Sequence, residues 1–163
     1  MLICTFAGHS NVYSGQASEK LDAVIEELLE NTDEAVFYVG GRGEFDGMAA
    51  RAVRGAKNRH KDKKIQLLLV EPYMSQQLNI DKYYFSSEFD GIVIPTELAG
   101  AYPKAAIKKR NRLMVDWSDV LIAYVYRDYG GAYETLKYAQ RKELVRIINL
   151  AESLNTKDIA FCI

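Results

Sequence analysis

The sequence predicts an α/β fold, a three-layer sandwich whose central sheet is mostly parallel. Three observations carry that expectation. Short apolar runs alternate along the chain with segments of helical period. The run from Ile65 to Val70 is apolar in the manner of a strand buried on both faces. Glycine-rich turns follow three of the apolar runs, where strands would feed helices.

The elements follow in order. Leu2 to Phe6 is the first strand and ends at Gly8. Ser18 is placed as the N-cap of a helix with Leu21, Val24, Ile25, Leu28 and Leu29 at helical spacing and Asn31 near its stop. Ala35 to Val39 is the second strand and runs into Gly40-Gly41-Arg42-Gly43. A helix follows from Phe45 to Asn58, and Ile65 to Val70 then leads to Glu71-Pro72-Tyr73. Gly91 to Ile94 is a short fourth strand, and a helix spans Lys104 to Trp117. The fifth strand, Val120 to Tyr126, ends in Arg127-Asp128-Tyr129-Gly130-Gly131. A helix from Tyr133 to Lys142 and a strand from Val145 to Ile148 complete the alternation, with Ile159 to Ile163 read as one more edge strand.

Bulk properties narrow the class. The 163 residues suit one domain, taken as 1–163. Hydrophobic residues make up 48% and charged residues 26%, an ordinary globular balance. The formal net charge of -1 offers no global field for a polyanion, so nucleic acid is not expected as a partner. Cys4 and Cys162 belong to no CxxC pair and read as reduced core thiols of a cytoplasmic protein. No signal peptide and no membrane-length apolar run is seen. Two histidines and two scattered cysteines make no zinc site, and GxxxxGK[ST] does not occur.

Right-handed crossovers put the C-terminal ends of parallel strands on one edge, and ligands of open α/β sheets bind outside that edge. Three glycine clusters fall there, in a Rossmann-like arrangement suited to a nucleotide or a nucleotide-derived phosphate ligand. The first is Thr5-Phe6-Ala7-Gly8-His9-Ser10, where hydroxyls and an imidazole could meet phosphate or ribose oxygens. The second, Gly40-Gly41-Arg42-Gly43-Glu44-Phe45-Asp46-Gly47, points backbone N–H groups and a helix dipole toward an anion. The third, Tyr129-Gly130-Gly131-Ala132-Tyr133-Glu134-Thr135, repeats that physics. Arg110 and Asn111 are the candidates for phosphate and for base or ribose, because a guanidinium matches phosphate in a bidentate way. Lys108, Lys109 and Arg112 read as a solvated basic face. So does the run from Arg51 to Lys64, on the edge opposite the glycine loops.

Together these segments, with Glu71-Pro72-Tyr73 and Arg110-Asn111-Arg112-Leu113-Met114-Val115-Asp116, resemble the SLOG superfamily. That group unites LOG-type nucleotide hydrolases, DNA-processing DprA/Smf proteins and small stand-alone bacterial and phage domains. The resemblance implies binding of a nucleotide or nucleotide-derived signal at Thr5, Gly8, His9, Ser10, Gly40, Gly41, Arg42, Gly43, Phe45, Asp46, Pro72, Tyr73, Arg110, Asn111, Gly130, Gly131, Ala132, Tyr133 and Thr135. The hydrolase motif Pro-Gly-Gly-x-Gly-Thr-x-x-Glu, aligned on Gly131, puts its glutamate at Thr135; Glu134 is one residue out of register. Binding, as a sensor, carrier or sequestering protein with no required cofactor, is therefore expected over catalysis. Glu134 is the catalytic candidate if the chain is an N-glycoside hydrolase, and a DprA-like single-stranded DNA binder is a further alternative. A homo-oligomer is also expected, with Tyr83, Tyr84 and Tyr102 as interface candidates.

Overall fold

The structure, a computed structural model, describes residues 1–13 and 15–151. Six parallel strands form its sheet: β1 (Leu2–Gly8), β2 (Glu34–Val39), β3 (Lys64–Val70), β4 (Gly91–Val93), β5 (Val120–Tyr124) and β6 (Arg146–Asn149). Their order is β4-β3-β2-β1-β5-β6, and every neighbouring pair is parallel. Helices α1 (Ala17–Leu29), α2 (Glu44–Arg59), α3 (Gln76–Ile80), α4 (Lys82–Glu88), α5 (Pro103–Asp116) and α6 (Gly131–Gln140) link them. This is the Rossmann-like three-layer α/β fold that the alternating pattern predicts.

Side chains of a strand alternate between faces, and β1 shows the result. Phe6 enters the core beneath α1 and α2, whereas its neighbour Ala7 faces Val115 of α5 and Leu136 and Ala139 of α6. Leu21, Ile25 and Leu29, spaced four apart, give α1 one buried face. Alanines at 49, 52 and 56 are buried on α2, and their small side chains let the helix lie close to the sheet. Every residue of β5 is buried, as suits a strand covered on both sides.

The chain steps outward from β1 to β4, and α5 then carries it back across to the other side of β1. The order therefore reverses between β1 and β5. A crevice opens at such a reversal, outside the C-terminal strand ends. Gly8 pairs in register with Tyr124, so the loops after β1 and β5 emerge side by side.

Several boundaries differ from expectation. α1 starts at Ala17 with Gln16 in the N-cap position, so Ser18 lies in the first turn and is not the cap. α6 starts two residues early, at Gly131, because Gly130 turns the chain at φ +95° immediately before it. α3 and α4 were not foreseen: their exposed Ile80, Tyr83 and Tyr84 give no apolar period to read. Tyr102 is exposed as well. The expected strand at 159–163, and Cys162, lie outside the described residues. Cys4 is a free, buried thiol, pushed up to about 12 by burial and by the charge of Asp119. Among the described residues no helix is long and apolar enough to cross a membrane.

Candidate functional site

A cleft of about 210 Å³ occupies the crevice between the ends of β1 and β5, closed at the sides by α5 and α6. Gly8, His9, Ser10, Arg42, Asp46, Arg110, Asn111, Gly131, Ala132 and Thr135 line it, as expected from the sequence. Ile107, Met114 and Arg127, which sequence reasoning did not single out, line it too. The other expected residues stand back from it. Thr5 is buried and donates its hydroxyl to the carbonyl of Tyr38. Phe45 is core, stacked on Tyr124. Gly40, Gly41, Gly43, Pro72, Tyr73 and Gly130 do not line the cleft, and Tyr133 lines neighbouring surface grooves.

Two of the glycines serve the fold. A Cβ on Gly8 would fall inside the ring of Phe45. A Cβ on Gly40 would lie 2.8 Å from Nη1 of Arg110. Arg110 is 2% exposed. Its Nη1 donates to the carbonyls of Gly40 (2.9 Å) and Val70 (2.7 Å), and its Nε donates to Oδ1 of Asn111 (2.9 Å). Much of the guanidinium is therefore spent holding the ends of β2 and β3 to α5, a duty beyond the expected phosphate contact.

The two helix N-termini at this edge differ. At α2 the carboxylates of the first turn are tied to backbone N–H groups of the neighbouring loops. Glu44 accepts from the N–H of Val12 at 2.8 Å, and Asp46 accepts from the N–H of Arg42 at 3.1 Å. Burial raises the Asp46 carboxyl to about 6, against the Arg42 hydrogen bond and the Arg110 charge. At α6 no heavy atom lies within 4 Å of a Cβ built on Gly131, so the first turn of that helix opens on the cleft. Unpaired N–H groups and the dipole make such an end attractive to an anion. Thr135 is turned inward, its hydroxyl donating to the carbonyl of Gly131.

His9 and Arg127 form the third wall. His9 is buried, and its Nε2 accepts from the N–H of Tyr126 at 3.3 Å. Burial and the Arg127 charge lower its pKa, and with Nε2 accepting, the proton of the neutral ring sits on Nδ1. Nε of Arg127 is buried without a hydrogen-bond partner. Its position directly after the expected fifth strand, Val120 to Tyr126, was the signal available in sequence, because residues just past a strand end face the crevice.

Across Ile107, Asn111, Gly131 and Thr135, which line both, the cleft adjoins a groove between α5 and α6 of about 510 Å³, lined also by Lys104, Lys108 and Arg112. Beside it, across Lys108, Arg112 and Glu134, lies a further groove lined by Lys137 and Arg141. Lys108 and Arg112 thus wall a groove instead of standing on a featureless basic face. Glu134 lies here, outside the cleft proper, in an ion pair with Lys108 at 3.0 Å. Asp116, at the far end of α5, is held by the Tyr138 hydroxyl and Lys142. On the opposite edge of the sheet the basic run is partly neutralised: Arg54 pairs with Glu88, Lys57 with Asp90, and Arg59 with Glu26.

No family model matches the chain. It is similar to the uncharacterized SPbeta prophage-derived protein YoqJ of Bacillus subtilis, at 28% identity over 77% of this chain and 81% of that one. Two solved structures share its fold. One is the DNA processing protein A of Helicobacter pylori, whose single-stranded DNA binding mode is known (TM-score 0.60, 19% identity, 90% of this chain). The other is the DprA of Streptococcus pneumoniae (TM-score 0.61, 15% identity, 99% of this chain). The chain spans 64% and 56% of the length of those two proteins.

These findings correct one expectation. Near-zero net charge had set nucleic acid aside as a partner, yet the Helicobacter protein with this fold binds single-stranded DNA. The physical reason is that net charge is a sum, whereas a polyanion meets an arrangement. Here three acids are held in ion pairs on one edge, and the surface between α5 and α6 gathers Lys104, Lys108, Arg112, Lys137 and Arg141 around one acid, Glu134, which pairs with Lys108.

Proposed function

We propose that the chain binds single-stranded nucleic acid, seating one nucleotide in the cleft between β1 and β5 and carrying the adjoining phosphates along the α5–α6 groove. One observation carries this reading. The cleft adjoins a groove lined by Lys104, Lys108 and Arg112, and a further groove beside that one is lined by Lys137 and Arg141, with Glu134 as the acid between them. A free nucleotide needs the cleft alone. A run of phosphates uses the groove as well, because each neutralised phosphate releases counterions. A cleft of about 210 Å³ suits an unpaired nucleotide, not a duplex. The fold shared with a protein that binds single-stranded DNA supports the same reading, and the resemblance to the SLOG superfamily fits it.

In this reading the α6 N-terminus at Gly131 and the Arg127 guanidinium meet a phosphate. Asn111 and the Nδ1–H of His9 meet sugar or base. The expected small-ligand function becomes the narrower case in which the cleft alone is used.

Fluorescence anisotropy with a labelled oligothymidylate, the matching duplex and thymidine monophosphate tests it. The single strand should bind more tightly than the duplex. Lys104→Ala/Lys137→Ala should weaken binding and flatten its salt dependence by roughly 1.4 in log–log slope, at about 0.7 per phosphate contact on a single strand. Binding of the monophosphate without binding of the oligonucleotide would return the site to a small nucleotide.

A further inference from the structure

We propose that Tyr13, Tyr126 and Tyr129 form a base-stacking surface at the mouth of the cleft; this rests on the nucleic-acid reading above and names how that site engages bases. The three rings are 77%, 42% and 63% exposed. A single exposed tyrosine is ordinary. Three gathered around residues of one cleft are not scattered surface, and the contacts say how they are gathered.

Tyr126 is the centre. The His9 ring meets it edge-on at 4.5 Å, and Tyr13 meets it at 5.9 Å with the rings at 64°. Its hydroxyl donates to the carbonyl of Asn11 at 3.3 Å. The ring is thus held in one orientation while nearly half its surface remains in solvent. A preset ring loses little entropy when a second flat group stacks on it. The Arg127 guanidinium lies over both the Tyr126 ring (5.8 Å) and the Tyr129 ring (4.7 Å), bridging the two.

His9 and Arg127 connect this surface to the cleft, because both line the cleft and both touch Tyr126. A nucleotide whose phosphate meets Arg127 therefore has aromatic faces within reach of the next base. Unstacked bases of a single strand present such faces, and a duplex hides them. Stacking of this kind is tolerant of sequence, since every base has a π-face.

The test compares an oligothymidylate with an abasic strand of the same length and backbone, by anisotropy at fixed salt. The proteins are the wild type, Tyr13→Ala/Tyr129→Ala, which removes two mostly exposed rings, and Tyr126→Leu, which keeps bulk against His9. Circular dichroism checks that each is folded. Wild type should prefer the base-bearing strand by about tenfold or more, the scale of one or more stacked bases. The variants should bind both strands near the abasic affinity, with the salt slope unchanged. A wild-type preference retained in both variants overturns the proposal. Equal binding of both strands by wild type overturns it while leaving the nucleic-acid reading standing. Binding of neither strand overturns both.

Discussion

Gly8 ends β1 and Gly131 begins α6; both line the cleft, and they do opposite work. A methyl group on Gly8 meets Phe45, whereas one on Gly131 meets nothing of the protein. Alanine at Gly131 should leave folding intact or improve it by about 0.5–1 kcal/mol, since glycine in a helix costs about that much. The same methyl intrudes on the space assigned to a phosphate, so Gly131→Ala should bind oligonucleotide at least severalfold more weakly. Urea unfolding and anisotropy on one preparation check both halves. Unaltered affinity would mean that no ligand passes over Gly131. The distinction could not be read from sequence. A glycine after a strand announces that something approaches the backbone, but a long-range contact decides whether that is a ligand or a ring thirty-seven residues on.

Helix α5 was legible as an element, and its anchor was not. The expected span, Lys104 to Trp117, lies within a residue of the observed Pro103–Asp116 at either end. Sequence also puts Arg110 on the crevice side. Its bonds, however, run to carbonyls forty and seventy residues away, which no local pattern encodes. Arg110→Ala leaves two buried carbonyls without their donor and should cost about 3 kcal/mol or more, in the range for breaking a buried charged contact. Weaker ligand binding by that variant would then report a loosened cleft as much as a lost phosphate contact. Arg110→Lys cannot reproduce the fork and should recover only part of the stability. Chemical denaturation of the three proteins measures this; an alanine variant as stable as wild type would remove α5's tether from the account. The groove between α5 and α6 was missed for a related reason. Its cations lie on two helices, and each helix alone looks like a solvated face.

At the scale of the molecule, Asp46 links stability to pH. Its carboxyl titrates at about 6 when folded, against an ordinary 3.8. Between those values the folded state holds a proton that the unfolded chain has given up. Stability therefore falls as pH rises through that window, and above it the loss amounts to up to about 3 kcal/mol. Asp46→Asn escapes the loss, so it should be more stable than wild type at about pH 7 and not at about pH 4. Urea midpoints of both proteins at the two pH values check the sign; a variant no more stable at neutral pH refutes it. A carboxylate kept in a cleft at such a cost is a mark of a functional site. The fold as a whole was legible because alternating strands and helices leave few topologies, and the strand-end edge follows from right-handed crossovers. Charge misled because composition carries no positions. The strand order has one more consequence. β1, made first, completes its pairing only with β5, which lies more than a hundred residues downstream. During synthesis the middle of the sheet therefore keeps one unpaired side until β5 emerges, and the cleft exists only after α6 has begun. Nascent chains halted before β5 should offer that apolar side to chaperones, and should hold no oligonucleotide at the cleft.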